Sequence, residues 1–229
     1  MLPRLGPLPT GERWSFEPKW DGFRALAFVD GRARLVSRRG NDLTHLCPQV
    51  ASLTSAGLGD AVLDGEIVAL RDGRPSFEAL QARMREGSSE AVALLAFDVL
   101  WLRGESLVDH PYEARRDLLE GLELPDPAYV SPRFDDGEAL FHRTREQGFE
   151  GVVAKRRSSL YRSGERTSAW TKAKHWQEDE FGIGGWSPPR GDHGWGSWSG
   201  SSSTMVDWRS GRGWSSGSAP PTETNSSNG

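Results

Sequence analysis

With 229 residues and a formal net charge of −4, the chain is long enough for one large domain or two small ones, and it lacks the overall basic balance that announces a nucleic-acid binder. Its single cysteine, Cys47, excludes an internal disulfide or a four-cysteine zinc site and fits a reducing compartment. No run of about eighteen apolar residues is present, and the proline-broken start Met1-Leu2-Pro3-Arg4-Leu5-Gly6-Pro7 is no signal peptide, so a soluble cytoplasmic protein without membrane contact is expected.

Residues 1–15 read as an irregular lead-in. From Gly22 to Val29 apolar and polar residues alternate, Asp30-Gly31 supplies a turn, and Arg32 to Ser37 alternates again, which predicts a hairpin. A basic turn, Ser37-Arg38-Arg39-Gly40, follows. Cys47 to Ala56 reads as a helix with Pro48 in its first turn. Ala61 to Leu70 is a strand interrupted by Asp64 and Glu66, carboxylates that are expensive there unless they meet a ligand or a partner. Ser76 caps a helix to about Arg85. Ala91 to Trp101 is an apolar strand holding one acid, Asp98, which reads as structural. Pro111-Tyr112-Glu113 opens a helix through Leu119, Tyr129-Val130 is a short strand, and Asp135 or Asp136 caps a helix ending near Gly148.

Phe149 to Lys155 is a strand with Glu150 at one end and a lysine at the other. Residues 156–169 form an arginine- and serine-rich loop, and Trp170 to Trp176 alternates so that Lys172 and Lys174 share a face. Residues 178–197 begin like a further strand-and-turn unit. Residues 198–229 contain no Leu, Ile or Phe, cannot bury enough apolar area to offset chain entropy, and are expected to be disordered.

Of the 28 basic residues only four are lysine: Lys19, Lys155, Lys172 and Lys174. Arginine cannot serve as a neutral amine nucleophile, so a lysine retained in this background draws notice. Lys19 lies in Glu17-Pro18-Lys19-Trp20-Asp21-Gly22-Phe23-Arg24, hemmed by aromatics that desolvate an amine. Phosphoryl transfer needs positioning and cations around a crowded anion. One nucleophile, three further lysines, several arginines, and carboxylates for a hard divalent cation meet that need.

Six stretches stand in order: Lys19-Trp20-Asp21-Gly22-Phe23-Arg24, Ser37-Arg38, Leu63-Asp64-Gly65-Glu66, Phe97-Asp98, Glu150-Gly151-Val152-Val153-Ala154-Lys155 and Lys172-Ala173-Lys174. Each alone is a weak signal. Together, over about residues 10–190, they resemble the motif series of the covalent nucleotidyltransferases, and most of all bacterial ATP-dependent DNA ligases of the end-joining (ligase D) type.

The resemblance implies an α+β fold of antiparallel β-sheets flanked by helices, ATP-grasp-like, with the nucleotide in the cleft between them. The adenylation domain would span residues 16–177, and residues 178–197 would be the opening of an OB-fold that the tail does not continue, as though truncated or shifted in reading frame. The resemblance further implies that Lys19 attacks the α-phosphate of ATP, that Glu17 helps to read the adenine, and that Arg24 and Arg38 hold phosphates. Glu66 would bond the ribose, Phe97 stack on the base, Glu150 face Mg2+ or Mn2+, and Lys155, Lys172 and Lys174 neutralise the α-phosphate. Loss of the OB domain would slow the adenylation of Lys19.

Residues 150–176 carry seven Lys or Arg against two acids. That local patch makes Arg38, Arg156, Arg157, Arg162 and Arg166 candidates for a DNA backbone. The implied substrate is nicked duplex DNA, met by a monomer associated with the nucleoid, with a Ku-type end-binding protein and a repair polymerase as partners by resemblance alone. An RNA ligase, a capping-type guanylyltransferase, and a non-catalytic remnant that binds nucleotide or DNA ends are the alternatives.

Overall fold

The computed structural model describes residues 1–71, 74–86 and 90–176, together with four strand segments further on. Residues 1–175 form one compact unit and residues 176–229 a second.

In the first unit the strands are β1 (Leu2–Leu5), β2 (Trp14–Pro18), β3 (Phe23–Val29), β4 (Ala33–Ser37), β5 (Ala61–Arg71), β6 (Arg74–Pro75), β7 (Ala91–Leu102), β8 (Glu105–Ser106), β9 (Ala128–Val130), β10 (Gly151–Arg156) and β11 (Arg166–Lys174). The helices are α1 (Phe77–Glu86), α2 (Tyr112–Glu120) and α3 (Gly137–Glu146). Two sheets result. The larger runs β4-β3-β5-β7-β8, with β6 beside β5 and β9 parallel to β7. The smaller runs β1-β11-β10-β2. Apart from β9 and β1, the pairings are antiparallel.

The alternation read from Gly22 onward works as expected: Ala25, Ala27 and Val29 are buried and join Leu35, Leu63 and Ile67 in the main core under the large sheet. A second cluster of Phe97, Leu100, Tyr112, Tyr161 and Trp170 fills the other side, where the small sheet lies. Ser76 Oγ accepts from the Ala79 amide at the start of α1, and Asp136 caps α3 by accepting from Ala139 N at 2.9 Å.

Two segments differ from expectation. The lead-in is partly regular: β1 pairs in parallel with β11, and Met1 is buried in the second cluster. A parallel partner some 160 residues away leaves no local signal in the sequence. Residues 44–55 form two 3₁₀ stretches, Thr44–Leu46 and Pro48–Ser55, in place of an α-helix. There the Thr54 and Ser55 hydroxyls donate to the carbonyls three residues back, at 2.8 and 2.7 Å, competing with the helical pattern. In the second unit, β12 (Ile183–Ser187) pairs with β13 (Ser197–Gly200), and β14 (Thr204–Asp207) with β15 (Arg212–Ser215), while most of the stretch expected to be disordered, residues 198–229, lies outside the described residues. The other tail residues lie outside those described. No helix among the described residues is long and apolar enough to cross a membrane.

Candidate active site

A cleft of about 220 Å³ opens between the two sheets of the first unit. It is lined from the small sheet by Glu17, Val153, Lys155, Trp170 and Lys172, from the large sheet by Arg24, Glu66 and Phe97, and between them by Lys19 and Trp20.

Two motif glycines explain how the backbones come this close. Gly22 precedes β3, and a Cβ there would stand 2.1 Å from the Ile67 carbonyl oxygen on β5. Gly151 opens β10 with φ +149°, and a Cβ would stand 2.0 Å from the Ala173 carbonyl oxygen on β11. Any side chain at either place would push strands apart beside Lys19 or Glu150.

Lys19 sits at the end of β2, its amide donating to the Gly151 carbonyl at 2.8 Å. Its Nζ contacts Glu150 Oε2, and Lys174 Nζ contacts Glu150 Oε1, so one carboxylate bridges two of the four lysines. Although burial works against ionisation, these two ammonium groups hold the Glu150 carboxyl below its usual range. Lys172, on the neighbouring stretch of β11, is pushed down by burial and by Lys174 and Lys19.

Deeper in, Lys155 is fully buried. Its Nζ lies 2.7 Å from Glu17 Oε1 and donates to the Phe97 carbonyl at 3.2 Å. The rings of Phe97 and Trp170 lie 4.3 and 4.5 Å from it, close enough for cation–π attraction. Burial pulls the Lys155 pKa down, against Glu17 and Asp98. Phe97 also lines the cleft.

Glu66 faces the cleft from β5, and burial pushes its carboxyl up to about 8, with Lys19 and Arg24 pulling the other way. A folded-state value above the ordinary 4.5 means that Glu66 contributes stability at low pH which is lost as pH rises through about 8. Glu66→Gln should therefore flatten part of the pH dependence of thermal unfolding. Between pH 5 and pH 8 the wild type should lose stability relative to the variant, and a difference constant across that window counts against a buried Glu66.

Several of the expected cations are already engaged by the protein. Arg24 lines the cleft with its guanidinium held in place. Its Nε and Nη2 grip both oxygens of buried Asp64 at 2.9 and 2.6 Å, and Nη1 donates to the Met1 carbonyl at 2.6 Å. Tyr161 completes the group by donating to Asp64 Oδ2 at 2.8 Å. Arg24 therefore walls the cleft and braces it. Arg38 lies on an exposed turn outside the lining of the cleft. Arg157 spends all three nitrogens on Glu12 O, Glu113 and Asp135, tying α2 and the start of α3 to the loop after β10. Such a clasp leaves it little to offer a DNA backbone. Arg166 donates to Pro3 O at 2.8 Å and Arg162 pairs loosely with Asp109 at 3.7 Å, while Arg156 is exposed.

Sequence reasoning missed Tyr112, Ser131 and Arg115, the partners that hold the site. Tyr112 donates to Glu17 Oε1 at 2.5 Å, and Trp20 Nε1 donates to Ser131 Oγ at 2.9 Å. Asp98 forms a fully buried two-pronged pair with Arg115, both contacts 2.7 Å. The position of Asp98 in an apolar strand was the one available hint.

Magnesium takes oxygen ligands and is often held by one or two carboxylates plus substrate phosphates. Glu150 offers one carboxylate beside Lys19. Asp21, raised mainly by burial and next by the charge of Glu150, is a neighbouring second. No group of three or more His, Cys, Asp or Glu that could hold a metal gathers among the described residues. The donor set fits an ion carried partly by phosphate and does not amount to a protein cage.

Comparison with known proteins places these features. The family model of the ATP dependent DNA ligase domain matches residues 9–174. The chain is 44% identical over 184 residues to the multifunctional non-homologous end joining DNA repair protein LigD of Mycobacterium tuberculosis, a match covering 78% of the chain and 24% of that protein. It is 38% identical over 190 residues to LigD of Pseudomonas aeruginosa, covering 80% and 22%. The chain thus spans about a quarter of the length of these curated relatives. Among solved structures, mycobacterial DNA ligase D complexed with ATP and MES superposes with a TM-score of 0.66 at 40% identity, covering 80% of this chain and 63% of that one. The ligase domain of M. tuberculosis LigD gives the same TM-score at 39% identity, covering 83% and 65%.

Proposed function

Because the chain belongs to the ATP-dependent DNA ligase domain family, we propose that its cleft binds ATP and that Lys19 takes up AMP for transfer to a 5′-phosphate of nicked duplex DNA. The observation that supports this best is the Lys19 amine, in contact with Glu150 at a cleft that Lys155 and Lys172 also line.

In the proposed step, Lys19 Nζ gives up its extra proton to water and attacks as the neutral amine, while Glu150 Oε2, which it touches, stays a carboxylate. The Nζ–phosphorus bond then forms as the bond from the α-phosphorus to the bridging oxygen breaks, and pyrophosphate leaves. Lys172 and Lys155 oppose the charge that gathers on the α-phosphate. Glu66 meets the ribose, and Phe97 and Trp170 offer aromatic surface to the base. A divalent ion, when bound, would add charge neutralisation, held by Glu150 and Asp21. Lys174, beside Glu150, would keep that carboxylate in place.

A second transfer would hand AMP to the DNA 5′-phosphate, and sealing of the nick would release it. Repair by end joining, contact with a Ku-type end binder and a repair polymerase, work as a monomer, and a cytoplasmic, nucleoid-associated location belong to the same proposal, as does DNA contact through Arg38, Arg156, Arg162 and Arg166.

The test is the intact mass of the chain after incubation with ATP and magnesium, and in parallel with GTP. One added AMP, mapped to Lys19, is expected with ATP and no GMP adduct with GTP. A GMP adduct alone would favour a capping-type enzyme, and binding with no adduct a non-catalytic remnant.

A further inference from the structure

Tyr112 is the first residue of α2 and lies wholly inside the protein. Its amide donates to the Ser159 carbonyl at 2.7 Å, which fixes where the helix begins. Its ring packs edge-on to Trp170 at 6.4 Å and lies 5.1 Å from Lys155 Nζ. Its hydroxyl reaches across to β2 and donates to Glu17 Oε1 at 2.5 Å, the same oxygen that Lys155 Nζ approaches at 2.7 Å.

Two donors converging on one oxygen do two things. They offset the cost of burying the Glu17 carboxylate, which is 2% exposed. They also pin it by one edge, which sets its orientation within the cleft it lines. Lys155 alone would supply charge with little direction, because an ammonium is a point charge on a flexible stem. The phenol adds the direction. Burial and Glu17 together hold its proton firmly in place.

We propose that Tyr112 is a positioning residue that orients the Glu17 carboxylate toward the six-position of a purine, and thereby sets a preference for ATP over GTP. The inference rests on the nucleotide reading of the cleft. Adenine carries an amine donor at C6 where guanine carries a carbonyl oxygen. A carboxylate held at that place accepts from the first and repels the second. A loosely held one can turn away and loses the distinction.

The experiment is calorimetric titration of the full chain with ATP and, separately, with GTP, for the wild type, Tyr112→Phe, Glu17→Gln and the double variant. Tyr112→Phe removes one oxygen and keeps the ring. It should weaken ATP binding by about tenfold and GTP binding much less, shrinking the preference. Glu17→Gln should abolish most of the preference, and the double variant should be no worse than Glu17→Gln alone, because Tyr112 acts through Glu17. A residue that merely supports the fold would weaken both nucleotides alike. An unchanged preference in Tyr112→Phe, or losses that add in the double variant, overturns the proposal while leaving the nucleotide site standing. Should Tyr112→Phe fail to fold, an unchanged preference in Glu17→Gln overturns it equally. A wild type that binds neither nucleotide removes the reading of the cleft and this inference with it.

Discussion

Replacing Lys19 with alanine should eliminate the covalent AMP adduct while leaving the chain folded and able to bind ATP. The loss should be at least about a thousandfold, because removing a nucleophile leaves only binding and charge stabilisation behind. The fold has little reason to suffer. The Lys19 side chain is partly exposed, and its backbone bond to Gly151 does not depend on it. Glu150 loses one ammonium but keeps Lys174. A pair this accessible is worth about 1 kcal/mol or less. Intact mass after ATP and magnesium reads the adduct, and thermal unfolding with and without ATP reads fold and binding. An adduct that persists in Lys19→Ala would place the nucleophile elsewhere. With only three other lysines in the chain, mapping would then be short.

Lysine economy made this site legible before any coordinates. A chain that uses arginine as its generic cation draws notice to its few lysines, and all four fall at the cleft or, for Lys174, on the carboxylate beside it. The strands that carry them were legible too, because alternation with Asp-Gly turns is a local signal. Arginine fate was not. Arg24 stands in a motif and Arg157 in a basic run, and both read as anion ligands. Which carboxylate captures each depends on strand register: Arg24 lies on β3 beside β5, which delivers Asp64. Tyr112 was invisible for a similar reason. It opens an ordinary helix, and only the packing of α2 against β7 brings its hydroxyl to a carboxylate 95 residues away.

The buried Asp98–Arg115 pair should prove the most costly to break. Asp64 and Asp98 stand opposite one another across β5 and β7, both wholly inside. Two buried carboxylates face to face are tolerable because each has its own arginine, Arg24 for Asp64 and Arg115 for Asp98. Arg115→Leu removes one of them and also strips the His110 carbonyl of its 2.6 Å donor. Leaving a buried charge unpaired costs about 3–5 kcal/mol. At roughly 2–4 °C per kcal/mol for a domain of this size, the unfolding temperature should fall by about 6–20 °C.

The effect should depend on pH in a defined direction. Burial already pushes the Asp98 carboxyl up, and Arg115 holds it back. Without Arg115 it rises further, so the variant keeps more of its stability where Asp98 can stay protonated and loses it as pH climbs. Thermal unfolding at pH 5 and pH 8 should show the larger deficit at pH 8. Asp98→Leu in the same chain removes the stranded charge and should recover part of the loss, though not the part owed to His110. Phe97 precedes Asp98 on β7 and faces the cleft, so ATP affinity should follow the same order: wild type, then the double variant, then Arg115→Leu. A deficit below about 1 kcal/mol, or one equal at both pH values, would mean that water reaches Asp98 and that the pair is not the brace described.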